Sequence, residues 1–89
     1  MNTRPNITKR EKDLVLDLIK NSWNNELKNK GEGIFINNYE MLGCLEEEHY
    51  ELIQAIHRNS QNEQLNEMVD MIIVLAHGIA SIYKKMDLE

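Results

Sequence analysis

The 89-residue sequence is poor in the features that commonly stabilise a very small protein. Cys44 is its single cysteine, so the chain cannot form an internal disulfide. Proline occurs once and glycine four times, which leaves long stretches able to form helix. We expect one domain over residues 1–89, with a flexible N-terminus at residues 1–7. A domain of this size often needs a metal ion or a second subunit for stability.

Positive charge and long apolar runs are also scarce. The formal net charge is −5, which argues against a nucleic-acid partner because such proteins present a basic face. The first dozen residues lack the apolar segment of a signal peptide, and the longest apolar run, residues 71–76, is too short to cross a bilayer. We therefore predict a soluble cytoplasmic protein with no membrane partner. Phosphate ligands stay open, because a bound cation can attract them.

The pattern of caps and apolar residues predicts an all-α fold, a three-helix protomer with antiparallel helices. Gly31-Glu32-Gly33 ends the first helix, the second ends near Asn59, and the third spans about residues 61–85. Each helix start is marked by a capping box, in which two side chains satisfy free backbone N–H groups. These boxes are Thr8 with Glu11, Asn37 with Glu40, and Ser60 with Glu63.

The third predicted helix is apolar on nearly every side over residues 68–82. A helix that is hydrophobic all round is buried all round, and two other helices of so small a chain cannot cover it. We therefore expect a homodimer that pairs through this helix, or a dimer of dimers, forming a dimer-based helical bundle. The alternative is a compact monomer in which Gly78 and Ala80 allow very close helix packing.

Two pairs of acidic residues occur at a spacing of three, where side chains are neighbours on one helix surface. They are Glu48 with Glu51 in the second helix and Glu67 with Asp70 in the third. On facing helices they would offer four oxygen donors to Mg²⁺, or to Mn²⁺. Asp70 lies in an apolar stretch, where a charge needs a partner or a metal. The residues alone leave a metal site and a solvated acidic surface both open.

These acidic residues also form a known pair of motifs. Residues 47–51 match EExxE, residues 67–70 match ExxD, and fifteen residues separate them. Over roughly residues 39–81 the sequence resembles the MazG-like all-α nucleoside triphosphate pyrophosphohydrolases. The resemblance implies Mg²⁺-dependent cleavage of an NTP or dNTP to the monophosphate and pyrophosphate, by water attack at the α-phosphorus. It also implies four metal ligands: Glu48, Glu51, Glu67 and Asp70.

Catalytic and substrate-binding candidates follow from the same chemistry. Glu48 and Glu47 are the predicted catalytic residues, with Glu47 as the spare carboxylate that acts as general base. Trp23 is a candidate for stacking on a base, although helix spacing with Ile19 and Leu27 equally suits a core residue. The remaining substrate-binding candidates are Lys28 and Lys30, for phosphate, and Glu40, which either lines the pocket mouth or only caps its helix.

Many relatives of this kind carry a further helix with cations that hold phosphates. This sequence ends four residues after Lys85, so we expect phosphate contacts from the first helix, from Lys84 or Lys85, or from a second subunit.

Other readings of the motifs carry less weight. Glu46 with His49 forms ExxH, which occurs in di-iron bundles, but lies on another helix face than Glu48 and Glu51. His77 is better interpreted as a hydrogen-bonded interface histidine than as a metal ligand. The alternative function is a non-catalytic helical oligomer that keeps an acidic site for a metal or nucleotide.

Overall fold

The computed structural model describes residues 3–88 and contains three α-helices joined by short connections. They are α1 (Lys9–Lys30), α2 (Asn38–His57) and α3 (Gln61–Leu88). No strand occurs among the described residues, which confirms the predicted all-α class with three helices. Residues 1, 2 and 89 lie outside the described part, so the predicted flexible N-terminus is described only from residue 3, where the chain is non-helical up to α1.

The ends of α1 follow from local signals in the sequence. The Thr8 backbone N–H donates a hydrogen bond of 2.9 Å to Glu11 Oε1, one half of the predicted capping box. This contact holds the pKa of Glu11 below its ordinary value, because backbone and hydroxyl donors favour the carboxylate. At the other end Gly31 has a positive φ of 96°, and its N–H donates to the Leu27 carbonyl.

At the starts of α2 and α3, one of the two hydrogen bonds of each predicted capping box is present. The Glu40 N–H donates to Asn37 Oδ1 at 3.0 Å, and the Glu63 N–H donates to Ser60 Oγ at 3.3 Å. The Glu63 carboxylate instead forms an ion pair with Arg58 at 2.9 Å, across the turn between α2 and α3. The exact helix ends differ slightly from the prediction, since α2 stops at His57 and α3 continues to Leu88.

The α2 and α3 helices pack along each other and contain the small core. Ala55 on α2 is fully buried, and Val69 and Ile73 on α3 are nearly so. At one end of the pair, a Cβ added to Gly78 would lie 3.0 Å from the Met41 side chain, so a larger residue there would force Met41 to move. The core of the described chain is therefore formed by this helix pair.

The segment between α1 and α2 is held by one face of α3. Three α3 side chains, spaced four residues apart, bind backbone groups of three residues in this segment. The pairs are His77 Nε2 with the Gly33 carbonyl at 2.8 Å, Ser81 Oγ with the Phe35 N–H at 3.0 Å, and Lys85 Nζ with the Ile36 carbonyl at 3.0 Å. These contacts satisfy backbone polar groups of the connecting segment, which lies outside the helices, and they place α1 beside α3.

The single chain leaves much apolar surface uncovered. Its accessible surface is 7499 Å², whereas a compact monomer of its mass exposes about 5400 Å². Its radius of gyration is 15.5 Å, against about 12 Å for a compact domain of this length. Among the described residues, α3 is also long and apolar enough to cross a membrane by length and composition alone, a criterion that core helices of soluble proteins also meet. The predicted cytoplasmic location stays a prediction.

Candidate metal centre

The candidate site lies where the middle of α2 faces the first half of α3. Glu48 projects from α2, and Glu67 and Asp70 project from neighbouring turns of α3. One carboxylate oxygen of each of these three residues lies within 4.8 Å of the others. Helix pairing therefore brings together residues that are about twenty positions apart in the chain.

Two oxygens of this cluster are buried without a partner. Glu48 Oε2 and Glu67 Oε2 are inaccessible to solvent and accept no hydrogen bond from the described protein. A buried carboxylate oxygen left without a donor is costly, by roughly 1–3 kcal/mol or more for a charged group. Such an oxygen requires a proton, a water molecule or a cation, and this requirement distinguishes the cluster from an ordinary acidic surface.

Burial and mutual repulsion both disfavour the charged state of the cluster. The pKa of Glu48 rises to about 7, first because burial removes water from its carboxyl group and then because Asp70 and Glu51 repel a further negative charge. Burial is also the main cause of the raised pKa of Glu67 and of Asp70, with the Glu51 charge adding to both. A divalent cation between these groups would attract their negative charges and so favour the ionised form of all three.

Glu51 belongs to the electrostatic neighbourhood of the cluster, but its place differs from that of the other three acids. Its charge raises the pKa of Glu48, Glu67 and Asp70, yet its carboxylate is not part of the group whose oxygens converge within 4.8 Å. The structure thus brings three of the four predicted ligands to one point and places the fourth beside them.

The donor set fits a hard divalent cation. Mg²⁺ binds oxygen ligands at about 2.0–2.1 Å and Ca²⁺ at about 2.3–2.6 Å, so oxygens on opposite sides of such an ion are about 4–5 Å apart. The three carboxylate oxygens, all within 4.8 Å of one another, are close enough to contact one such ion together. Carboxylates alone favour Mg²⁺, Mn²⁺ or Ca²⁺ over softer metals, which prefer nitrogen or sulfur.

A cavity of about 390 Å³ adjoins the acidic cluster and is partly open to solvent. It lies between the C-terminal half of α1 and the α2–α3 pair. Five of the predicted site residues line it: Trp23, Lys30, Glu47, Glu48 and Asp70. Lys28 and Glu40 do not line it, and both are exposed, at the end of α1 and in the first turn of α2. The cavity therefore unites most, but not all, of the predicted substrate-binding and catalytic residues.

Trp23 is held in place by His77. Its indole N–H donates to His77 Nδ1 at 3.3 Å, and the two rings meet edge to face with centroids 6.2 Å apart. Because Nδ1 accepts this bond, the neutral tautomer with hydrogen on Nε2 donates to the Gly33 carbonyl. Phe35 also meets the imidazole edge to face, with centroids 5.0 Å apart. His77 is thus hydrogen-bonded within the chain and has no nitrogen free for a metal.

Glu26 is the site residue that the sequence reasoning missed. It pairs with Lys30 at 3.2 Å, lines the cavity, and its charge raises the pKa of Asp70 on α3. The Glu26 carboxylate also raises the pKa of Lys30, with smaller contributions from Glu48 and Asp70. The available signal was helical spacing, since Glu26 lies three residues after Trp23 and four before Lys30. A fifth acid therefore faces the centre from α1.

The ExxH pair does not take part in this arrangement. Glu46 and His49 are both exposed on α2, and neither is a member of the cavity lining or of the converging acids.

Comparison with known proteins adds no family assignment, because no protein-family model, no curated protein and no solved structure matches this chain.

Proposed function

We propose that this chain is a Mg²⁺-dependent nucleotide pyrophosphohydrolase of the MazG-like all-α type, which cleaves an NTP or dNTP to the monophosphate and pyrophosphate. The observation that carries the proposal is the pair of buried carboxylate oxygens without partners, Glu48 Oε2 and Glu67 Oε2, converging with Asp70 beside an open cavity. The EExxE and ExxD motifs, at residues 47–51 and 67–70, support it from the sequence.

In this proposal the acidic residues have separate tasks. Glu48, Glu67 and Asp70 would hold Mg²⁺ or Mn²⁺, and Glu51, whose charge acts on all three, would complete the set from the adjoining turn of α2. A cation bound there would neutralise phosphate oxygens and lower the pKa of a water molecule. Glu47 is exposed and lines the cavity, which supports its proposed role as the base that accepts the proton of the attacking water.

The α1 side of the cavity provides the contacts to the nucleotide. Lys30 lies within the field of Glu48 and Asp70 and can leave Glu26 to bind a phosphate oxygen. Trp23 faces the cavity while His77 holds its indole N–H, so an aromatic ring is available to a base at a fixed orientation. Two of the proposed metal ligands, Glu48 and Asp70, and the proposed phosphate contact Lys30 thus line the same cavity from different helices.

The finer architecture belongs to the same proposal. We expect antiparallel helices in each protomer and self-association as a homodimer or dimer of dimers, in the cytoplasm. The large exposed apolar surface of the single chain supports self-association.

The test is pyrophosphate release from a panel of NTPs and dNTPs, with Mg²⁺ or Mn²⁺ present. We expect Glu48→Gln and Asp70→Asn to lower kcat/KM at least about 100-fold, since each removes a charge that holds the cation. Glu46→Gln is the matched control, because Glu46 is exposed and outside the cavity on the same helix. Equal rates in wild type and Asp70→Asn would contradict the proposal.

A second candidate function is a non-catalytic oligomer that binds a metal or nucleotide at the same site. It is favoured by one observation: Lys30 is the only Lys or Arg among the described residues that line the cavity, and it is already paired with Glu26. Titration calorimetry separates the two. Binding of Mg²⁺ and a non-hydrolysable nucleotide, without pyrophosphate from any nucleotide tested, would select this second function.

A further inference from the structure

His77 joins three parts of the chain through the two nitrogens of one imidazole ring. On α3, its Nδ1 accepts the indole N–H of Trp23 from α1 at 3.3 Å, and its Nε2 donates to the Gly33 carbonyl at 2.8 Å. Among residues 3–88, the contact with Trp23 is the one hydrogen bond between α1 and the α2–α3 pair. No residue of α1 is buried, so the attachment of α1 depends strongly on this contact.

The bond to Trp23 requires a neutral imidazole. With hydrogen on Nε2, the ring has one nitrogen lone pair able to accept, and it lies on Nδ1. A proton that binds the ring takes this same lone pair, so that Nδ1–H and the indole N–H face each other as two donors. The indole edge is also the positive side of the aromatic quadrupole and repels an imidazolium. A proton and Trp23 therefore compete for Nδ1.

The second contact of His77 survives protonation. Nε2 carries a hydrogen in both states, and its bond to the Gly33 carbonyl becomes stronger when the ring is charged. Ser81 and Lys85 hold the same connecting segment at Phe35 and Ile36, independently of the imidazole. Protonation thus breaks one of the two contacts and leaves the connecting segment in place.

The charged and titratable groups that share a cavity with His77 come from all three helices. They are Glu26 and Lys30 on α1, Cys44, Glu47 and Glu48 on α2, and Asp70 on α3. The connecting segment adds Gly31, Gly33 and Phe35 to this lining, none of which titrates. The carboxylates favour a charged imidazole and Lys30 opposes it. Histidine is also the side chain whose charge ordinarily changes between about pH 5 and 8.

We propose that protonation of His77 releases Trp23, and with it the C-terminal half of α1, from α3, while the connecting segment stays bound. The cavity beside the acidic cluster is then closed by α1 at neutral pH and opened at acidic pH. This inference goes beyond the proposed activity and does not depend on it, since the contacts of His77 involve neither a metal nor a nucleotide.

The direction of this pH effect distinguishes it from that of the acidic cluster. The released state binds one more proton than the attached state, so α1 is attached at higher pH and is released as pH falls through the titration of His77. The raised pKa of Glu48 acts in the opposite direction, because protonation of that carboxyl group stabilises the fold. Attachment of α1 should therefore strengthen with pH while the stability of the acidic cluster weakens.

The first experiment measures hydrogen exchange of the metal-free protein at several pH values, expressed as protection factors that correct for the intrinsic pH dependence of exchange. Amides around Trp23 should lose protection at least about fivefold between pH 8 and pH 5. The midpoint of this loss should coincide with the titration of the His77 ring, followed by NMR. The Phe35 amide, which donates to Ser81, should change by less than about twofold.

Variants identify the titrating group. His77→Gln keeps a donor and an acceptor but carries no charge, so protection of α1 should be the same at pH 5 and pH 8 within about twofold. His49→Gln is the matched control, because His49 is exposed on α2 outside the cavity, and it should keep the full pH dependence. Glu48→Gln should keep it as well.

A second variant serves if His77→Gln fails to fold. Trp23→Phe keeps a ring but has no N–H for Nδ1, so its α1 protection at pH 8 should equal that of wild type at pH 5 and fall no further. The proposal is overturned if α1 protection stays constant while His77 titrates, or if the Phe35 amide loses protection together with α1. It also fails if the pH dependence persists in His77→Gln or Trp23→Phe, or disappears in Glu48→Gln.

Discussion

α1 and the α2–α3 pair are built from helices of similar length but reach very different degrees of burial. α1 has 22 residues and none of them is buried, whereas the pair contains the buried residues of the described chain, among them Ala55 and Ile73. α1 packs against α3, and among the described residues no Cα of α1 comes within 8 Å of a Cα of α2. A helix with a good cap and regular apolar spacing can thus form without entering the core of its own chain.

The difference has a functional consequence. The converging acids Glu48, Glu67 and Asp70 all stand on the packed pair, where helix packing restrains their positions. The predicted nucleotide contacts, Trp23 and Lys30, stand on the loosely held α1. We infer that the acidic side of the cavity is preformed, while the α1 side depends on how firmly α1 is attached.

The largest expected contrast is in the effect of removing side chains from the two regions. Ile73→Ala, at a residue that is 7% exposed on α3, should lower the free energy of unfolding by about 2–4 kcal/mol. Leu16→Ala, at a residue that is 66% exposed on α1, should change it by about 0.5 kcal/mol or less. Urea denaturation followed by circular dichroism measures both. Equal effects would mean that α1 is part of the core after all.

The next contrast concerns the pH dependence of stability, which we expect to arise in the α2–α3 pair. The pKa of Glu48 is about 7 in the folded protein against an ordinary 4.5. Between pH 4.5 and 7 the folded protein therefore binds one more proton, at Glu48, than the unfolded chain does. The stability of the metal-free protein should therefore fall as pH rises from 4.5 to 7, by up to about 3 kcal/mol. Urea denaturation in the presence of a chelator, at a series of pH values, measures it.

Two comparisons identify the source of that pH dependence. Glu48→Gln should remove most of the slope, while Glu46→Gln, at an exposed position on α2, should retain it. Saturating Mg²⁺ should reverse the sign, because a bound cation favours the deprotonated acids. If the stability of the metal-free wild type is constant or rises between pH 4.5 and 7, the carboxyl group of Glu48 does not have the raised pKa described above.

The smallest expected effect concerns the attachment of α1. Trp23→Phe keeps an aromatic ring but removes the N–H that donates to His77 Nδ1. We expect the free energy of local opening of α1 to fall by roughly 1 kcal/mol. This would appear as about fivefold faster hydrogen exchange in α1, with little change in α2 and α3. Tyr50→Phe, at an exposed residue of α2, is the control. Equal acceleration across all three helices would indicate global destabilisation.

The sequence by itself determined the helices and the local pairing of the acids. Caps at Thr8, Asn37 and Ser60 and the stop at Gly31 act within a few residues, so their signals can be read in order along the chain. The spacing of Glu67 and Asp70 on one helix surface is likewise a local property of 3.6 residues per turn.

Only the tertiary structure decided which acids converge and which surface stays open. Glu48, Glu67 and Asp70 meet at one point while Glu51 lies beside them, and Glu26 joins from α1. The His77 contacts with Trp23 and the connecting segment likewise depend on residues more than forty positions apart. The physical reason is that helical periodicity sets where a side chain lies on its own helix, whereas the distance between helices depends on how all of their side chains pack.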